Sequence, residues 1–175
     1  SMFDHAKALK QLGHEVVVVS NLGHIRDLAA KANIPFVRGL WAYRDIGALR
    51  IPLFILLWPL MWVQYLYLAL KHKPDLIYPH SRDDQIIFTL LKPFHRRPVV
   101  WRDPSDLRYF LVNKHAGFLA DAYRWFLIKA MARADRIVTL TELEQAIIIR
   151  NSDGVADKQL VQTMPSSILY ANYKK

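Results

Sequence analysis

The chain has 175 residues, of which 53% are hydrophobic and 12% aromatic, and it carries a formal net charge of +9. This apolar content excludes an intrinsically disordered chain, and only 6 glycines and 9 scattered prolines exclude a collagen-like one. With no cysteine, a disulfide scaffold, a thiolate zinc site and a cysteine nucleophile are excluded as well. The surplus of cations favours an anionic partner, such as nucleic acid, acidic lipid or a phosphorylated ligand. The length predicts one domain, 1–175.

Helical and strand patterns alternate along the chain. Phe3–Leu12 has the apolar spacing of a helix and ends at Gly13. His14–Ser20 contains four consecutive valines, typical of a strand that is buried on both faces of a parallel sheet. The other predicted elements, in chain order, are helix His24–Ala32, strand Ile34–Val37, strand Asp75–Tyr78, helix Asp83–Lys92, strand Pro98–Trp101, a helix start at Ser105–Leu111, helix Phe118–Ala134, strand Arg136–Leu140, helix Glu142–Arg150 and strand Leu160–Met164. This alternation predicts an α/β fold, a Rossmann-like parallel sheet with helices on both faces.

The uncharged stretch 51–70 leaves three alternatives open. It is bracketed by Arg50 and Lys71 and is long enough to span a bilayer. Two prolines and Gln64 interrupt it, and a strand pattern follows at Asp75, which favours a core helix that turns back onto a sheet. Its tryptophans and tyrosines favour a lipid–water boundary. The stretch is therefore a buried core helix, a helix at a membrane surface or a membrane span.

Polar residues follow most of the predicted strands. In open parallel sheets, ligands bind at the carboxyl ends of the strands. The residues that fall there are Ser20, His80, Ser81, Arg102, Asp103, Thr141 and Glu142. They are the candidates for a functional site.

Three stretches resemble the N-terminal domain of GT-B glycosyltransferases of the retaining family-4 kind. They are HAKALKQLGHEVVVVS (5–20), KPDLIYPHS (73–81) and ADRIVTLTELEQAII (134–148), and the third runs on to KQLVQTMPSSI (158–168). They lie in the order and at the spacing of the family. The resemblance implies the N-terminal half of a GT-B fold and sugar transfer from a nucleotide-sugar donor.

The sequence departs from the family pattern at several points. The family opens with a strand and a glycine-rich loop, whereas this chain begins at the following helix. Arg102-Asp103 stands where the family often has His-Asp, and Ser166-Ser167 where it has Asn-Gly. The donor-binding C-terminal domain, with its Glu-x7-Glu motif, has no counterpart. The resemblance therefore implies an acceptor-binding half that is inactive alone, with a nucleotide sugar expected in the full-length protein and no covalently bound cofactor.

The resemblance implies roles for the strand-end residues. A nucleotide-sugar donor leaves a diphosphate, whose oxygens need cationic or amide donors. Arg102 is a candidate phosphate clamp, unless it pairs with Asp103 or Asp106. Asp103 is a candidate catalytic base on the acceptor side, or a helix cap. His80 is a candidate catalytic residue that orients an acceptor hydroxyl, or a histidine bonded to nearby backbone.

Ser81, Thr141 and Glu142 complete the substrate-binding candidates. Thr141 has an alternative role as the cap of the helix that begins at Glu142, with Glu144 in the right place for a capping box. The acidic pair at 83–84 suggests a metal, but no third ligand follows at a useful spacing. No metal site is predicted.

The basic charge and the aromatic stretch together suggest a membrane surface. Family members that glycosylate lipid-linked acceptors are peripheral membrane proteins. The candidate membrane contacts are Trp58, Trp62 and Tyr65, flanked by Arg50 and Lys71. We therefore expect an anionic membrane surface as a partner, a lipid-linked or cell-envelope glycan as acceptor, and a cytoplasmic location, peripheral at the inner face of the membrane.

The missing first strand predicts a gap in the sheet. We expect a segment from a second copy, in a domain-swapped homodimer, or the tail 168–173 to fill it. The competing interpretation of the whole chain is a non-enzymatic α/β module that binds a phosphorylated or acidic partner. Nucleic acid is not expected as a partner, because no nucleic-acid-binding signature is present.

Overall fold

The computed structural model describes residues 2–40, 51–102, 111–112 and 118–163. Contacts between residues divide the chain into two compact units, 1–67 and 68–175. The α/β class is confirmed by parallel strands that alternate with helices within each unit. That the two units form one domain stays a prediction.

The first unit contains a two-stranded parallel sheet with its helices. Its elements are α1 (Met2–Gln11), β1 (Val18–Ser20), α2 (Gly23–Lys31), β2 (Phe36–Arg38) and most of α3 (Ile51–His72). Val18 of β1 is in register with Phe36 of β2. A small core forms where α1 and α2 meet the sheet, and Ala29 and Ile34 are almost fully buried in it.

The second unit contains a three-stranded parallel sheet of order β3-β4-β5. Its elements are α4 (Arg82–Leu90), α5 (Lys92–His95), β3 (Val100–Arg102), α6 (Phe118–Met131), β4 (Arg136–Thr139), α7 (Glu142–Asn151) and β5 (Val161–Thr163). Trp101 and Ile137 are fully buried at the centre of its core. The Trp101 indole N–H donates to Thr89 Oγ1 at 2.7 Å, so the one polar atom of this large side chain is satisfied.

Two predicted strands are shorter than their sequence patterns. Of the predicted strand His14–Ser20, only Val18–Ser20 pairs, because its partner β2 offers three residues. The predicted strand at 75–78 is reduced to one parallel bridge between Ile77 and Val99.

The predicted helix start at 105–111 lies outside the described residues apart from Leu111. Position 103 and the tail 168–173 lie outside them too.

The stretch 51–70 forms most of helix α3. Among the described residues, no helix combines the length and apolarity needed to cross a membrane. The polar residue that interrupts the stretch anchors the helix. Gln64 accepts a hydrogen bond from the Leu40 N–H at 2.9 Å and donates one to the Arg38 carbonyl at 3.0 Å, which ties α3 to the end of β2.

Candidate functional site

The candidate site lies at the carboxyl ends of the strands in the second unit. Because β3, β4 and β5 are parallel, the residues that follow them meet at one edge of the sheet. The chain after the Ile77 bridge joins this edge, because that bridge to Val99 is also parallel. The structure thus brings the neighbourhoods of His80 and Arg102 to the same edge of the sheet.

Gln85 connects two of these strand ends. Its side chain is fully buried in the first turns of α4. Its amide Nε2 donates to the Arg102 carbonyl at 2.7 Å and to the Pro79 carbonyl at 3.5 Å. Its Oε1 has no hydrogen-bond partner among the described residues. This glutamine fixes the backbone on both sides of the candidate site.

The sequence analysis did not single out Gln85. A lone glutamine in the first turn of a predicted helix has no distinctive pattern. The signal that would have identified it is its position, four residues after the strand-end residue Ser81, where a helical side chain turns back toward the strand ends.

Three polar side chains lie at this edge of the sheet: Tyr78, His80 and Arg102. The rings of Tyr78 and His80 pack edge to face with centroids 5.0 Å apart. Burial raises the pKa of Tyr78, and the nearby positive charge of Arg102 opposes that rise. The Arg102 side chain makes no hydrogen bond or ion pair with another residue in the part of the chain that the structure describes. The proposed pairing with Asp103 or Asp106 lies outside that part.

Ser81 and Thr141 both act as helix caps. The Ser81 hydroxyl accepts from the Asp84 N–H at 3.2 Å at the start of α4. Thr141 forms a capping box with Glu144: its hydroxyl accepts from the Glu144 N–H at 3.2 Å, and the Glu144 carboxylate accepts from the Thr141 N–H at 3.1 Å. The capping role predicted for Thr141 is confirmed. Glu142 is exposed at the first position of α7, and its role in substrate binding stays a prediction.

A buried hydrogen-bonded chain lies next to this edge and was not foreseen from the sequence. Arg82 Nε donates to the Tyr123 hydroxyl at 2.8 Å, and that hydroxyl donates to Asp83 Oδ1 at 2.7 Å. Asp83 is only 8% exposed, and burial raises the pKa of its carboxyl, against the opposing effects of Tyr123 and Arg82. Among the described residues, no group of three or more acidic or histidine side chains is arranged to hold a metal.

The predicted membrane contacts of α3 are distributed over both sides of the helix. Tyr65 is 4% exposed, so the prediction that it contacts a membrane is wrong for this conformation. Trp58 and Trp62 are half-buried and pack edge to face on each other at 5.5 Å. Lys71 is exposed in the last turn, and Arg50 lies outside the described residues. The outward apolar side chains are instead Leu60, Val63 and Tyr67, each more than half exposed.

The fold is similar to that of a solved GT-B glycosyltransferase. Crystal structures of Anabaena Alr3699/HepE in complex with UDP, with UDP and glucose, and with UDP-glucose match the chain with TM-scores of 0.61, 0.62 and 0.61. Sequence identity is 15%, 18% and 17%. Each match covers 93% of this chain but only 38–39% of the other, so the chain spans less than two-fifths of the length of these structures. The α/β architecture of the chain is therefore that of a GT-B fold.

The family follows from a second comparison. The family model of Glycosyltransferase Family 4 matches residues 1–160, and the chain belongs to that family. No curated protein matches the chain significantly.

Proposed function

We propose that this chain is the acceptor-binding part of a glycosyltransferase that transfers a sugar from a nucleotide-sugar donor to a lipid-linked or cell-envelope glycan. The observation that carries the proposal is the strand-end site of the second unit in a family 4 chain. Nucleotide-sugar use is supported by the similar HepE structures, which hold UDP and UDP-glucose. The basic net charge of +9 suits a diphosphate-bearing substrate.

The proposed chemistry uses a cation and a base at the strand ends. The Arg102 guanidinium has the fork geometry that binds phosphate oxygens in pairs, and it would stabilise the charge that develops on the leaving diphosphate. His80 would orient the attacking acceptor hydroxyl, and Asp103 would accept its proton. Ser81, Thr141 and Glu142 would contact the sugar or phosphate groups nearby. The hydroxyls of both caps accept from backbone N–H groups, so each still has a proton to donate.

The test is UDP release from UDP-glucose by the full natural protein, with a membrane lipid extract as the acceptor source. We expect Arg102→Gln to lower kcat about 100-fold, the usual loss when one charge-stabilising donor is removed. Arg150→Gln removes an exposed cation from the end of α7 and serves as the matched control. Equal rates for the two variants would contradict the role of Arg102. If no nucleotide sugar tested releases its own nucleotide, the transferase activity would be contradicted.

A membrane location is supported by the outward side of α3. Leu60, Val63 and Tyr67 are 51%, 67% and 56% exposed, an apolar row that a lipid surface would cover. Lys71 follows at the end of the helix, where anionic head groups would attract it. We place the protein in the cytoplasm, at the inner face of the membrane, with this side of α3 as one contact.

The alternative is a non-enzymatic module that binds a phosphorylated or acidic partner. The high positive charge favours it, since charge alone does not require catalysis. Binding of UDP without turnover of any nucleotide sugar in the full natural protein would favour this alternative.

A further inference from the structure

Two fully buried polar side chains of α4 hold the end of strand β3. Gln85 and Thr89 are four residues apart, so they lie on the same face of the helix. Thr89 Oγ1 accepts from the Trp101 indole N–H at 2.7 Å, and Gln85 Nε2 donates to the Arg102 carbonyl at 2.7 Å. Trp101 and Arg102 are the last two residues of β3. The helix therefore holds this strand end at two consecutive residues.

The start of α4, from which the Gln85 side chain extends, is itself fixed. The Gln85 N–H donates to the Ser81 carbonyl at 2.9 Å, and the Ser81 hydroxyl caps the same turn. Two residues before Gln85, Asp83 accepts from the Tyr123 hydroxyl at 2.7 Å, which ties this turn to α6. Ile86, the next residue along, is only 1% exposed. The amide of Gln85 therefore reaches β3 from an anchored position.

The Gln85 amide is only half used in the part of the chain that the structure describes. Its Oε1 is buried and has no hydrogen-bond partner there, and such an atom costs about 1–3 kcal/mol. A methionine has a similar shape and would not carry that cost. What the amide adds is its N–H donor, and the short bond of that donor is the one to the Arg102 carbonyl. The contact with the Pro79 carbonyl, at 3.5 Å, is longer and therefore weaker.

We propose that Gln85 is a positioning residue for sugar transfer, which fixes the Arg102 backbone so that the guanidinium meets the leaving diphosphate. The hydrogen bond goes to the Arg102 carbonyl and not to its side chain, so it sets the point from which the guanidinium extends without engaging it. Placement matters because a misplacement of about 1 Å in an active site can slow the reaction about 100-fold. This inference rests on the proposed function and adds to it a residue that acts through Arg102 and touches no substrate.

The experiment compares the kinetics of nucleotide release by four forms of the full natural protein: unaltered, Gln85→Met, Arg102→Gln and the double variant. We expect Gln85→Met to lower kcat about 10- to 100-fold and to change KM for the nucleotide sugar less than about twofold, because the charge on the leaving group develops in the transition state. In the Arg102→Gln background the same change should cost less than about twofold, since no guanidinium is left to position. A merely structural role would cost the same factor in both backgrounds.

A second variant tests the donor itself. Gln85→Glu keeps the shape of the side chain, and burial raises the pKa of a carboxyl at this position. The ionised carboxylate cannot donate to the Arg102 carbonyl, whereas the protonated carboxyl can. We therefore expect kcat of Gln85→Glu, relative to the unaltered protein at the same pH, to rise as the pH falls.

The chain offers a matched control in Gln145. This glutamine follows the capping residue of α7 by four positions, as Gln85 follows that of α4. Its Nε2 donates to the Val161 carbonyl at 2.6 Å, and Val161 is the first residue of β5 and not the last. Gln145→Met therefore removes a similar hydrogen bond from the other end of a strand. It should leave kcat unchanged, and similar melting temperatures of the two methionine variants show that both are folded.

Amide hydrogen exchange provides a readout that does not need catalysis. Gln85→Met should speed exchange at the end of β3, in a peptide that covers 100–102. Gln145→Met should leave that peptide unchanged and speed exchange in β5 instead.

Three outcomes would overturn the inference. In an active protein, Gln85→Met could keep its kcat or lose the same factor in both backgrounds, and either result leaves the proposed function intact. Unchanged exchange at the end of β3 would overturn the inference whether or not the protein is active. If the unaltered protein releases no nucleotide from any nucleotide sugar tested, the proposed function itself fails, and the role of Gln85 in sugar transfer fails with it.

Discussion

At the scale of the residue, His95 is a neutral histidine held by two backbone groups. Its Nε2–H donates to the Phe88 carbonyl, and its Nδ1 must be unprotonated to accept from the Arg97 N–H. Burial lowers the pKa of His95 below its ordinary value of 6.5, and the charges of Lys92 and Arg97 add to that effect. Nothing in the sequence pattern distinguished this histidine from the exposed ones.

The lowered pKa of His95 predicts a loss of stability in mild acid. In the unfolded chain His95 takes up a proton as the pH falls through 6.5, whereas the folded chain resists protonation until a lower pH. The free energy of unfolding should therefore fall with decreasing pH in that window, by at most about 1.4 kcal/mol per pH unit. Melting temperature against pH measures this. His95→Gln should flatten the profile, whereas the exposed control His14→Gln should leave it unchanged; identical profiles for all three would contradict the assignment.

The Tyr123 hydroxyl satisfies a buried carboxylate. Tyr123→Phe leaves Asp83 without this donor and Arg82 without its acceptor. We expect the free energy of unfolding to fall by about 1–3 kcal/mol, the cost of an unsatisfied buried polar group. Urea denaturation gives the value, with Trp125→Phe, an exposed aromatic on the same helix, as control. A double-mutant cycle with Asp83→Asn should show coupling, and additive losses would argue against the hydrogen-bonded chain.

At the scale of the element, local sequence patterns predicted the structure correctly where both interacting residues lie in the same short segment. The capping box of α7 is such a case, because Thr141 and Glu144 are three residues apart. Strand lengths were overestimated, because they depend on a distant partner: β2 limits β1 to three residues, and Val99 alone bridges Ile77. The side of α3 that faces out was also not predictable, because a stretch that is apolar all round does not distinguish Tyr65 from Tyr67.

The cap of α7 predicts a measurable loss of stability. Thr141→Ala removes the hydroxyl that accepts from the Glu144 N–H, and we expect a cost of about 1 kcal/mol in the free energy of unfolding. Thr141→Ser retains the hydroxyl and should keep most of that energy. Equal destabilisation by alanine and serine in urea denaturation would show that the methyl group, and not the cap, is responsible.

At the scale of the whole molecule, the order of elements was predictable and the polar network was not. The ordered motifs identified the family, and the alternation of elements identified the α/β class, because both are properties of sequence order. The contacts of Gln85 and Tyr123 join residues up to 41 positions apart, and no local pattern encodes such pairs. The roles of the strand-end residues in sugar transfer also depend on such long-range arrangements, and these roles stay predictions.

The open strand edges predict self-association. Within the described residues, β1 pairs with β2 alone, and an unpaired strand edge is a template for another strand. We therefore expect a dimer, with twice the 20.4 kDa of the chain, in light scattering. A monomer at all concentrations would contradict a domain-swapped homodimer. Hydrogen exchange at Val18–Ser20 provides a second readout, since protection on dimerisation would place the new partner at β1.

The left-handed backbone at Arg96 carries a conformational cost that a single substitution can remove. A non-glycine residue at φ 55° is conformationally strained, and glycine would relieve up to about 1 kcal/mol. Arg96→Gly should therefore raise the melting temperature. Asn33→Gly, at a φ of 54° in the first unit, should at most raise the melting temperature. A screen that selects for thermal tolerance alone would therefore favour glycine over arginine at position 96.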